Sequence, residues 1–304
     1  MPKILSTKTS SFGIGKRESH DSSEFYRRRL YDFDEMGKVD GKQINDFPDE
    51  YLDQVWHGDS RSLHFIPDNS VHLMITSPPY NVGKEYDENL SLKEYLTLIT
   101  EVMKEVYRVL IPGGRACINI ANVGRRPYIP LNNYITEIMI KLGFLMRGEI
   151  IWDKGASAGG SCAWGSWRSA SNPVLRDVHE YILVFSKGTF SRPDNKEKTK
   201  RNTITRDEFL EYTKSIWAFK AESAKRVNHP APYPVELPYR LIQLYSFEND
   251  IIIDPFCGSG TTCVAALKTN RRYIGIDNNL DYVENARQRL INYQELGEDV
   301  VGRK

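Results

Sequence analysis

Two short stretches hold residues whose types and spacing could do chemistry. In Thr76-Ser77-Pro78-Pro79-Tyr80-Asn81 a hydroxyl precedes two prolines and an aromatic ring follows them. Proline cannot donate to a strand ladder, fixes its own φ and restricts the residue before it, so the apolar run from Val71 to Thr76 must leave its sheet here. Ser77, the Pro78 carbonyl and the Tyr80 ring are then held stiffly at a strand's carboxyl end, where chemistry can be positioned. The second stretch, Asp254-Pro255-Phe256-Cys257-Gly258-Ser259-Gly260-Thr261-Thr262, joins the strand Ile251-Ile252-Ile253 to a helix starting at Thr261. Strand, glycine turn and helix bring a ligand against the backbone and the helix N-terminus. The next strand, Tyr273 to Ile276, ends in Asp277-Asn278, about 20 residues on, where an acid can take both hydroxyls of a ribose. The loop lacks both GxGxxG and the Walker lysine, so it suits a nucleoside without phosphates, of which S-adenosylmethionine is the common one.

The elements that must position these loops alternate. A strand near Val71–Thr76 precedes a helix from about Ser91 to Leu110, with Pro112-Gly113-Gly114 as its stop. A strand (Ala116 to Ile120), a helix (Asn132 to Leu142) and strands at Arg147 to Trp152 and Tyr181 to Phe185 follow. After an irregular stretch come a short amphipathic segment at Phe209 to Tyr212 and a helix from Val235 to Tyr245. The strand at Ile251, the helix at Thr261, the strand at Tyr273 and a last helix to Tyr293 complete the pattern. Such βα alternation predicts an α/β fold with a largely parallel, Rossmann-like sheet. Residues 1–24, rich in Ser, Lys and Gly, read as a mobile arm.

The 304 residues are 40% apolar, enough for one large α/β domain or two modest ones. Cys117, Cys162, Cys257 and Cys263 form no CxxC pair, so neither a disulfide framework nor a zinc or other metal site is suggested. No apolar run is long enough to span a bilayer and the N-terminus lacks a signal-peptide core, so a soluble, cytoplasmic protein is expected. Net charge is +1, but residues 154–226 hold 14 Lys and Arg against 8 Asp and Glu, a basic segment that suggests one face for a polyanion.

Together these motifs resemble the DNA amino-methyltransferases of the permuted class, in which the catalytic motif precedes the cofactor loop. The resemblance covers about residues 55 to 293. TSPPYN is similar to the family's catalytic motif and DPFCGSGTT to its cofactor loop. Arg108–Gly114, Ile150–Lys154 and His179-Glu180-Tyr181 match further segments. The resemblance implies that Asp59, in His57-Gly58-Asp59-Ser60, meets the adenine of S-adenosylmethionine. It also implies that the segment opening with His229-Pro230 lies beside the cofactor's methionine end. Many members carry lysine where Tyr233 stands, so the loop amides and Thr261 would take over its contact.

The resemblance further implies a catalytic half (25–154), a target-recognition insertion (155–228, with the core strand 181–186 inside it) and a cofactor half (229–304). Trp164, Trp167, Arg168, Arg192, Lys196, Lys198 and Lys200 would meet double-stranded DNA. Ser77 and Pro78 would accept the two hydrogens of an exocyclic amine, Pro79 would stiffen the turn and Tyr80 would stack on a flipped base. Serine at the first motif position resembles the cytosine-N4 branch. Adenine-N6 is the alternative, with a protein-amide methyltransferase or a non-catalytic DNA-binding protein further off. A restriction endonuclease partner, a homodimer and a bacterial or archaeal, nucleoid-associated location complete what the resemblance implies.

Overall fold

The computed structural model describes residues 43–80, 89–124, 126–155, 165–192, 200–220 and 233–296. All described residues lie in one compact unit. The arm expected over residues 1–24 lies outside them. The strands are β1 (Gln54–His57), β2 (Val71–Thr76), β3 (Leu110–Ile120), β4 (Phe144–Asp153), β5 (His179–Lys187), β6 (Ile216–Ala218), β7 (Ile251–Asp254) and β8 (Arg272–Asp277). They form one sheet in the order β1-β8-β7-β2-β3-β5-β4-β6. Among these described strands only β5 runs against its neighbours; the other pairs are parallel. The carboxyl ends of the parallel strands therefore share one edge of the sheet with the amino end of β5. We call this the carboxyl edge and its opposite the amino edge.

The helices are α1 (Leu92–Val109), α2 (Leu131–Lys141), α3 (Arg206–Tyr212), α4 (Glu236–Tyr245), α5 (Thr261–Lys268) and α6 (Leu280–Leu296). A capping box of Ser91 and Glu94 starts α1. Ile99, Val102 and Val106 of α1, with Ile135 and Met139 of α2, pack in one core. Leu241 and Ile242 of α4, Val264 of α5 and Val283 of α6 pack in a second core. Covered on both faces, central β2 is apolar almost throughout, as a buried parallel strand must be. Among the described residues, no helix is long and apolar enough to cross a membrane.

The helix ends at Val109, just before Pro112-Gly113-Gly114 as predicted, but the triplet is not a loop and the strand does not wait for Ala116. The triplet lies inside β3, which starts at Leu110, and a shift in register between Val71 and Leu73 of β2 absorbs it. Gly113 sits at φ +75°, and a Cβ there would come within 2.5 Å of the Ser191 carbonyl oxygen. Only glycine lets the two segments pass.

The basic segment also divides. The stretch after Lys187 leaves β5 at the amino edge, away from both motif loops. Lys187 itself is buried, donating to Leu110 O at 2.6 Å and Asn69 Oδ1 at 2.7 Å. Arg192, expected on phosphate, pairs instead with buried Asp250 just before β7 and lies over the Phe247 ring. Lys200 sits 5.7 Å from the centre of the same ring. A buried carboxylate at the head of β7 needs a cation, and that need overrides the DNA role read for Arg192. Lys196 and Lys198 lie outside the described residues.

His72 of β2 completes this cluster. Its Nδ1 accepts from Ile251 N at 3.0 Å and its Nε2 lies 3.5 Å from Asp250. Burial lowers its pKa to about 4, opposed by Asp250 and assisted by Arg192 and Lys200. Since the unfolded chain binds this proton near pH 6.5 and the folded chain only near 4, the stability involved is present above 6.5 and lost as pH falls towards 4. Thermal melts at pH 7 and pH 4.5 should show a drop that is smaller in His72→Gln. Equal drops would place the acid sensitivity elsewhere.

Candidate active site

Both motif loops open at the carboxyl edge onto one cavity of about 900 Å³. Ser77, Pro78, Pro79 and Tyr80 line it together with Gly58, Asp59, Pro255, Phe256, Gly258, Asp277 and Asn278. The remaining loop residues build the wall from behind. Gly258 and Gly260 hold φ of +48° and +76°, and a Cβ on Gly260 would come 3.0 Å from Ala286 Cβ of α6. Cys257 is buried, and its amide donates to Ile276 O at 3.0 Å. Arg289 of α6 is buried, donating to Ser259 O at 3.1 Å and Thr261 Oγ1 at 3.0 Å.

Asp254 does not line the cavity. Its buried carboxylate accepts from Thr76 Oγ1 at 2.7 Å, Phe256 N at 3.1 Å, Thr262 Oγ1 at 2.6 Å and Tyr233 Oη at 3.0 Å. Burial raises its pKa and these donors pull it back. The acid thereby ties β2, the glycine loop, α5 and the approach to α4 into one unit. Tyr233, in the place where many of the resembled enzymes carry lysine, spends its hydroxyl here. His229 and Pro230 lie outside the described residues.

Asp277 does face the cavity. One carboxylate oxygen accepts from Gly258 N at 2.8 Å and the other from Asn279 N at 3.0 Å. Each oxygen keeps a lone pair, the acceptor set a ribose diol requires. Burial raises its pKa, opposed by the backbone donors. Asp59 is half exposed and pairs with Arg61 at 2.6 Å, and that hydrogen bond lowers its pKa.

A second network stands behind the Ser77 turn. Ser77 Oγ lies 3.1 Å from Tyr80 Oη, which donates to Glu180 Oε2 at 3.1 Å. Asn119 Nδ2 donates to the same Glu180 oxygen at 2.6 Å and lies 3.2 Å from Tyr80 Oη and 3.4 Å from Ser77 Oγ. Lys154 Nζ holds the other Glu180 oxygen at 2.8 Å. Burial pushes the Tyr80 phenol well above its usual range, so it stays a neutral hydroxyl. The sequence motifs alone gave no role to Asn119, Glu180 or Arg289. The first two are polar residues within or beside runs that must pack as buried strands, a signal available without the structure.

The loop between β4 and β5 also lies at the carboxyl edge. Gly165 bridges Pro173, Ser166 N donates to Asn172 O at 2.9 Å, and a Cβ on Gly165 would strike that same carbonyl oxygen. This tight turn presents Trp167, 67% exposed, and exposed Arg168. Arg126 is exposed in the loop after β3, at the same edge. Trp164 lies outside the described residues.

A family model described as a DNA methylase of the N6/N4 type matches residues 71–288, from the first residue of β2 into α6. The chain belongs to this DNA methylase family. It is 33% identical over 262 residues to the Type II methyltransferase M.MjaI of Methanocaldococcus jannaschii, covering 74% of this chain and 86% of that protein. It is 28% identical to the Type II methyltransferase M.BglII of Bacillus subtilis, over 80% of this chain and 70% of that one. Among solved structures, TTHA0409 of Thermus thermophilus in complex with S-adenosyl-L-methionine superposes with a TM-score of 0.65 at 29% identity, over 82% and 95% of the two chains. The PvuII DNA methyltransferase, cytosine-N4-specific, superposes with a TM-score of 0.62 at 21% identity over 77% and 84%, a likeness of fold. The cofactor of this methylase is S-adenosyl-L-methionine, and the free lone pairs of Asp277, the Phe256 ring and the glycine turn fit it.

Proposed function

We propose that this methylase is a site-specific, Type II enzyme of the permuted class that methylates the exocyclic N4 amine of cytosine in double-stranded DNA, as the modification half of a restriction-modification system. The observation that carries this reading is the shared cavity, which Ser77, Pro78 and Tyr80 line together with Asp277 and the glycine turn. The cofactor supplies an electrophilic methyl group. An exocyclic amine is a poor nucleophile because its lone pair is delocalised into the ring. Acceptors at Ser77 Oγ and the Pro78 carbonyl take its two hydrogens and favour the pyramidal form that attacks. Duplex DNA hides the amine, so the base is flipped into the cavity, and Tyr80 stacks on it. Serine at the first motif position supports cytosine, and the order of the two motif loops along the chain supports the permuted class.

Residues 155–228 serve as the target-recognition insertion, with the described residues 165–178 in its DNA-facing part. Trp167 and Arg168, with Arg126 at the same edge of the sheet, replace Arg192 and Lys200 as the DNA-contacting residues of choice. Neutralising Arg126 and Arg168 to glutamine should weaken DNA binding and flatten its salt dependence by as much as ~0.9 for each phosphate no longer neutralised, with cofactor affinity unchanged. An identical salt slope would remove this pair from the interface. Nucleoside mass spectrometry of DNA treated with enzyme and cofactor tests the whole reading. N4-methylcytosine is expected, and N6-methyladenine alone would overturn the base assignment.

A further inference from the structure

The chemistry above needs Ser77 to accept from the substrate amine, yet a serine hydroxyl is equally able to donate. Something must set its direction. Glu180 enters from the antiparallel strand β5, opposite Trp152 of β4 and one residue before Tyr181, which pairs with Ile120 of β3. Its side chain is 13% exposed and that of its partner Lys154 is 19% exposed. Paired with an ammonium, the carboxylate can only accept. Tyr80 must then give its hydroxyl proton to Glu180, at 3.1 Å, which leaves the Tyr80 oxygen as an acceptor. Ser77 Oγ, 3.1 Å from that oxygen, gives its own proton to Tyr80 and keeps lone pairs for an incoming N–H. The Asn119 amide nitrogen points into the same network, and its carbonyl oxygen is buried with no hydrogen-bond partner among the described residues.

We propose that Glu180, held by Lys154, is the positioning residue that fixes the direction of the Tyr80 and Ser77 hydroxyls and so makes Ser77 an acceptor. The proposal rests on the amine-methylating reading of this site. It does not depend on which base is methylated. Glutamine at 180 keeps the shape but can donate as well as accept, so the direction is no longer imposed.

The test compares Glu180→Gln, Tyr80→Phe, the double variant and Glu180→Asp. Each is assayed for kcat and KM on DNA, for cofactor affinity by calorimetry and for thermal melting. Glu180→Gln should lose roughly ten- to a hundred-fold in kcat, with KM and cofactor affinity within about two-fold of wild type. Because Glu180 acts through Tyr80, the double variant should be no slower than the slower single one. Glu180→Asp, which keeps the charge, should recover part of the loss. Multiplicative losses in the double variant, or a kcat in Glu180→Gln equal to wild type, would overturn the proposal. All rates are ratios to wild type on whichever base is methylated. An adenine product would therefore overturn the cytosine reading and leave this test standing.

Discussion

Asp277→Ala is expected to weaken S-adenosylmethionine binding by about 1.5–3 kcal/mol, roughly 10- to 150-fold, while the protein stays folded. The carboxylate sits at the end of β8, where each oxygen takes one backbone amide and keeps one lone pair towards the cavity. A ribose diol bound there forms two charge-assisted hydrogen bonds, and alanine leaves both hydroxyls without their acceptor. Alanine also frees Gly258 N, whose bond to Asp277 shapes the turn, so Asp277→Asn is the companion variant. Its carbonyl oxygen can still receive one of the two donors, and it should lie between wild type and alanine. Calorimetric titration reads the change directly, without DNA. Unchanged affinity in a folded Asp277→Ala would remove this residue from the cofactor site.

The glycine loop between β7 and α5 was legible because its signal is local: a glycine turn between a strand and a helix, and an acid at the end of the next strand. The Ser77 turn was legible for the same reason, since two prolines after an apolar run end a strand wherever it lies. What the sequence hid depends on partners far along the chain. Pro112-Gly113-Gly114 marks the end of α1 correctly, but that the triplet itself continues as β3 depends on Gly113 fitting against Ser191. Arg192 reads as a surface cation in a basic run, and only the fold brings it to Asp250, 58 residues away. That Tyr181–Phe185 runs antiparallel is not written in its residues, because a buried strand is apolar in either direction. That reversal has a chemical consequence. A strand running the other way delivers its amino end, with Glu180, to the edge where the parallel strands end, and so places a carboxylate behind Tyr80.

The largest loss of turnover is expected from Tyr80→Ala. The variant should bind S-adenosylmethionine with near-normal affinity, since the acid, the glycine turn and Phe256 are untouched. It gives up two things on the substrate side. On the proposed reading the ring stacks on the flipped base, and removing such a ring sacrifices about 1–3 kcal/mol of base binding. The hydroxyl is the link between Ser77 and Glu180, at 3.1 Å on each side, so the amine also loses its directed acceptor. The two losses act on different quantities. Stacking holds the base in the cavity, and acceptor direction aims the lone pair. A variant lacking both should therefore fall below Tyr80→Phe, which keeps the ring, by on the order of ten-fold or more in kcat/KM. Nucleoside mass spectrometry of DNA containing every short site gives both numbers. Standards must separate 4-amino, 6-amino and ring-carbon methylation. If Tyr80→Ala and Tyr80→Phe lose the same amount, the ring does not stack on the base and the hydroxyl alone accounts for the tyrosine.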